Sequence, residues 1–144
     1  ERSTSISPNY AQGIYARGWT EALAGRELEG RAHVDLAMRL SPIDPLYYAM
    51  LGTRAFTHMS MGEDAEAARW AERAARAPGA HVLIAMIAAV AQAMAGDEAR
   101  AAAWVANVRE RNPALKREDF FRSFPMKSES TKARVSGALA RLGF

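Results

Sequence analysis

Three histidines, a few adjacent carboxylates and no cysteine bound the chemistry open to this chain. His33, His58 and His81 share no i, i+4 spacing that would put two imidazoles on one helix face, so they read as structural rather than metal-ligating. The missing thiols remove disulfides, thiolate nucleophiles and cysteine-based metal centres together. Glu63-Asp64 and Asp97-Glu98 each fall directly after a glycine, where acidic groups suit a helix start and need no catalytic explanation. Gly13, Gly18 and Gly25 are too widely spaced to cradle a phosphate, and no serine sits in a nucleophile elbow. These residues predict neither enzyme, metal site nor cofactor.

Bulk composition points the same way. The 144 residues are enough for one domain, 49% hydrophobic and 24% charged, with a net charge of +3. Arginine greatly outnumbers lysine, and the basic residues are interspersed with Glu and Asp. A nucleic-acid interface needs a concentrated basic footprint, so direct nucleic-acid binding is not expected. The most apolar run, Val82 to Ala95, falls short of the roughly 20 residues a membrane span needs and reads as a buried helix. The chain begins with Glu1 and reads as a piece of a larger protein.

The elements that must carry these residues are set by punctuation. Pro8, Pro42, Pro78 and Pro113 follow one another at intervals of 34, 36 and 35 residues. One glycine stands near the middle of each interval: Gly25, Gly62 and Gly96. Glycine closes a helix in the left-handed conformation, and proline cannot continue a helix interior. The pattern therefore predicts helices over Asn9–Ala24, Glu27–Leu40, Pro45–Met61, Asp64–Ala77, His81–Ala95 and Glu98–Arg111. Small residues recur at fixed offsets from the glycines: Gly18, Ala55 and Ala89 before them, then Gly30, Ala67 and Ala101 after them. Two helices per period of about 34 is the tetratricopeptide signature.

In these features the chain resembles a tetratricopeptide repeat array, with repeats at about 8–41, 42–77 and 78–112 and a cap over 113–144. The resemblance implies an all-α helical-repeat solenoid of three helix pairs plus a capping helix. One departure is consistent: four residues before each glycine, where the family carries an aromatic, stand Glu21, His58 and Gln92. After Pro113 the repeat breaks into Leu115, Phe120, Phe121 and Phe124. A last helix is then expected over Ser128–Leu142, with Val135, Ala138, Leu139 and Leu142 on one face and the exposed end of the stack beneath it.

A narrower likeness lies in Gly18-Trp19, in the joint Leu40-Ser41-Pro42-Ile43-Asp44-Pro45 with Leu46-Tyr47-Tyr48 after it, and in the ending Ala140-Arg141-Leu142-Gly143. These are similar to the C-terminal tetratricopeptide modules of bacterial class III adenylate cyclases and winged-helix transcriptional regulators. Where that family reads Pro-Phe-Arg-Asp, this chain departs with Pro125-Met126-Lys127-Ser128. The likeness implies a non-catalytic, cytoplasmic regulatory module without cofactor, binding a protein or peptide partner or self-associating as a homodimer. It places Gln12, Tyr15, Trp19 and Leu23 on the concave surface, followed by Ala49, Gly52, Phe56 and Met59, then Leu83, Met86, Val90 and Met94. The expected partner-binding groove centres on Gln12, Tyr15, Trp19, Phe56, Met59, Met86 and Val90. Such an apolar, Met-containing surface suits an adaptable contact. Two alternatives stay open: the groove is filled by the chain's own phenylalanine-rich tail, or the tail closes it into a pocket for an apolar small molecule.

Overall fold

The computed structural model describes residues 8–144, with side chains from Tyr10 onward; Ser7, the first member of the Ser-Pro punctuation, lies outside the described residues. Among the described residues the fold is all-α. The helices are α1 (Pro8–Leu23), α2 (Glu27–Leu40), α3 (Tyr47–Ser60), α4 (Asp64–Arg76), α5 (Val82–Met94), α6 (Glu98–Arg111), α7 (Arg117–Ser123) and α8 (Glu129–Arg141). The first six lie where the punctuation puts them, two of them to the residue. α7 is an addition: a single short helix folds from the phenylalanine segment before Pro125.

The three mid-interval glycines adopt φ of 86°, 75° and 88°. At each one the amide two residues after the cap reaches back to close the turn: Arg26 N–H to the Glu21 carbonyl at 2.8 Å, Glu63 to His58 at 2.9 Å and Asp97 to Gln92 at 2.9 Å. A positive φ is what this closure requires, and only glycine adopts it without strain. The α2–α3 joint is held differently. Asp44 is buried, accepting from the Ser41 hydroxyl at 3.1 Å and the Leu46 amide at 2.8 Å, so the Ser-Pro-x-Asp-Pro stretch is a side-chain-stapled turn.

The first six helices pack in sequence order, and α3 also touches both α1 and α5. α1 and α2 approach most closely where Gly18 faces Gly30. A Cβ on Gly30 would lie 2.8 Å from the Gly18 carbonyl oxygen, so the crossing is fixed by the two missing side chains. α5 is the central helix, with ten consecutive residues from Ile84 to Ala93 buried. No described helix is long and apolar enough to cross a membrane.

The tail reaches beyond the last helix pair. α8 packs on α5 and α7, and Arg134 of α8 donates to the Met59 carbonyl at 3.2 Å and to both Asp64 oxygens at 2.7–2.8 Å. Before α8, the Lys127 amide donates to the Leu23 carbonyl at 3.0 Å. The tail thus runs across the α1, α3 and α5 side and also reaches α6, where Arg109 donates to the Gly143 carbonyl at 2.9 Å and lies over the Phe144 ring. The contact is hydrophobic: the tail contributes Phe120, Phe124, Val135 and Leu139, all buried, to the same core cluster as Phe56 and Met59.

Candidate functional site

Two regions bring chemistry-bearing residues together: the side of α1, α3 and α5, and the polar seams between helix pairs. On the first side, counting from the glycines gathers the apolar residues into one cluster. Phe56, Met59, Met86 and Val90 are all fully buried, and Trp19 and Tyr15 are half-buried at its edge. Gln12 is half-buried further along α1.

What covers them is the tail. Phe124 sits 5.6 Å from Trp19, 5.1 Å from Phe56 and 4.9 Å from Phe120, centroid to centroid. Trp19 meets Phe56 edge-on at 6.1 Å, and Phe120 reaches Phe56 at 6.3 Å. These tilted and edge-to-face contacts are the favoured geometries of aromatic pairs. Of the readings left open, these contacts fit the tail-filled one: intramolecular rings lie on Trp19 and Phe56, and Met59, Met86 and Val90 are buried in the same core cluster. Tyr15 lies beside the plug, where burial pushes its phenol upward against the opposing effect of a hydrogen bond with Thr53.

The second region uses the three positions four residues before the turn glycines. Glu21, His58 and Gln92 are all at least nine-tenths buried, at the same place in successive helix hairpins. Their backbone carbonyls close the glycine turns, which fixes where their side chains begin. Glu21 takes a 2.6 Å contact from His33 Nδ1 on α2. His58 is enclosed from several elements. Its Nδ1 lies 2.7 Å from Glu63 and 3.2 Å from Arg31, its Nε2 contacts Arg54, and its ring stacks on Trp70. Arg54 is held in turn by Asp35 at 2.9 Å and lies over the Trp70 ring. A neutral His58 donating from Nδ1 to Glu63 and accepting from Arg54 at Nε2 satisfies both nitrogens. Burial first, then the two guanidiniums, hold this imidazole below its ordinary value, although the Glu63 contact works in the other direction.

Between α4 and α6 the buried acceptor is Glu72. Its Oε1 receives Arg100 at 3.0 Å and Arg76 at 3.3 Å, and its Oε2 receives the Trp104 indole N–H at 2.9 Å. The carboxylate pairs after the glycines also differ from expectation. Asp97 caps α6 through the Arg100 amide at 3.0 Å, as its position predicts. Glu63 and Asp64 do not cap α4: Glu63 is drawn to Arg31 and His58, and Asp64 to Arg134. A stronger charge partner outcompetes the helix end. No described group of three or more His, Asp or Glu residues is arranged to hold a metal ion.

The helices and these two regions define an all-α protein of consecutively packed helix pairs with a tail folded across one side. Comparison with protein-family models, curated proteins and solved structures returns no match.

Proposed function

We propose that this chain is a non-catalytic regulatory interaction module, three tetratricopeptide-like helix pairs in a solenoid whose concave groove is occupied by its own tail. The sequence likeness supports a setting beside a signalling or DNA-binding domain in a bacterial cytoplasmic protein. One observation carries the reading: the ring set Trp19, Phe56, Phe120 and Phe124 closes the surface on which a solenoid of this kind would receive a peptide. A protein partner or a second copy would then meet the outer faces of the helix pairs. The apolar small-molecule sensor is less well supported, because Phe120 and Phe124 take the space that an apolar ligand would fill.

Titration with an apolar fluorescent dye tests the plug, and sedimentation velocity tests self-association. The plugged groove leaves the dye dark on the native chain, and Phe124→Ala makes it bright. Stoichiometric dye binding to the unsubstituted chain would overturn the plugged-groove reading.

A further inference from the structure

Of the three equivalent buried polar positions, two are satisfied by the chain itself and one is not. Glu21 has His33, and His58 has Glu63 and Arg54. Gln92 is 6% exposed, yet no hydrogen bond ties its side-chain amide to any described residue. Burying an amide without partners is costly, so an unpaired one in this setting calls for a reason. No fully enclosed side-chain polar atom among the described residues lacks a partner. The Gln92 amide therefore keeps an opening, and that opening is a cleft of about 490 Å³ between α4 and α6, which Gln92 lines from α5.

The cleft carries a net positive charge. Arg69, Arg73, Arg76 and Arg100 line it, against Glu72 and Asp97. A third carboxylate, Glu66, pairs with Arg69 from outside the lining. Four guanidiniums against three carboxylates leave one positive charge uncompensated. Glu72 already receives Arg100, Arg76 and Trp104, and it makes no hydrogen bond with Gln92. The remaining lining is alanine: Ala65, Ala68 and Ala95. The volume falls within the range of small-ligand sites, and a lone inorganic anion would leave most of it empty.

We infer that this cleft binds a small organic carboxylate. The planar carboxylate matches the guanidinium fork, the Gln92 amide donates to it, and the alanine wall receives a short aliphatic stem. With Glu66 counted beside the lining, one negative charge balances the remaining excess. The same head group occurs on free organic acids and on peptide C-termini, and the cleft recognises what they share.

The test is a titration of the isotope-labelled chain, followed by NMR of the Gln92 side-chain amide and the arginine Nε–H groups. The probes are butyrate, inorganic phosphate, and one short peptide with either a free or an amidated C-terminus. Saturable shifts with butyrate or with the free-acid peptide, at least tenfold weaker in Gln92→Leu and in Arg76→Gln, support the site. Which of these two probes binds more tightly identifies the source. Gln92→Leu is also expected to melt no lower than the unsubstituted chain, since it removes an unpaired amide. A lower melting point would make Gln92 structural and overturn its role. Phosphate binding as strong as butyrate, or shifts that never saturate with any probe, would overturn the carboxylate assignment.

Discussion

Two glycines of the first helix hairpin respond in opposite directions to the same substitution. Gly13 is an exposed residue inside α1, with nothing within 4 Å of the point a Cβ would occupy. There, Gly→Ala gains helix propensity alone, about 0.5–1 kcal/mol of stabilisation. At Gly30 a Cβ would lie 2.8 Å from the Gly18 oxygen, 2.9 Å from the Ala22 nitrogen and 3.2 Å from the Ala22 Cα. All three are backbone atoms, so no side chain can rotate away, and α1 must retreat from α2 along the whole crossing. Overpacking of this kind costs about 1–3 kcal/mol, and subtracting the propensity gain leaves a net loss of about 1–2 kcal/mol. Because the propensity gain is common to both, the variants differ by the overpacking cost, about 1–3 kcal/mol, or roughly 3–10 °C in melting temperature for a domain of this size. Thermal and urea unfolding followed by circular dichroism at the helix band reads the difference directly. If Gly30→Ala rose in stability alongside Gly13→Ala, the close α1–α2 approach would be refuted.

Further predictions concern the tail and the buried histidine. Phe124→Ala removes a ring in contact with Trp19, Phe56 and Phe120 and is expected to lower stability by about 3–5 kcal/mol, measured by urea unfolding. A cost of a few tenths would mean the plug is not part of the core. Arg134→Met with Asp64→Asn, in a double-mutant cycle, is expected to show coupling of about 0.5–1 kcal/mol, because the pair is bidentate but partly exposed. Independent effects would indicate that α8 is held by apolar contacts alone. His58, held below its ordinary 6.5 chiefly by burial, favours the neutral form in the fold. Its contribution is complete above that value and declines as pH falls, because the unfolded chain takes up the proton first. Glu63, held below its ordinary 4.5 first by His58 and then by Arg31, adds a second decline at lower pH. The urea midpoint is expected to fall between about pH 7.5 and pH 5, and His58→Gln to flatten that slope.

The helix hairpins were legible because glycine and proline act locally: Gly25, Gly62 and Gly96 dictate a left-handed turn whatever surrounds them. α7 was not legible, since Phe120, Phe121 and Phe124 before a proline read equally as loop anchors, and only packing decides between them. The gathering of Trp19, Phe56 and Met59 on one side followed from helical counting. Their cover by the phenylalanine-rich tail was legible only as one of several alternatives, because no local feature of Phe124 encodes its distance to a tryptophan in α1. Glu21, His58 and Gln92 stood out in sequence as departures from an aromatic pattern. Their common offset from the glycines was the usable signal, and their partners on neighbouring helices became visible only in three dimensions.

The reach of the tail has a consequence for how the chain comes to be folded. Each helix hairpin can form from neighbouring residues as it leaves the ribosome, but Arg134 meets the Met59 carbonyl across 75 residues of chain. Until that late segment is synthesised, Trp19 and Phe56 face water as an apolar strip, the kind of surface that chaperones and proteases survey. A product ending before α7 would present this strip permanently and enter quality control rather than act as a smaller module.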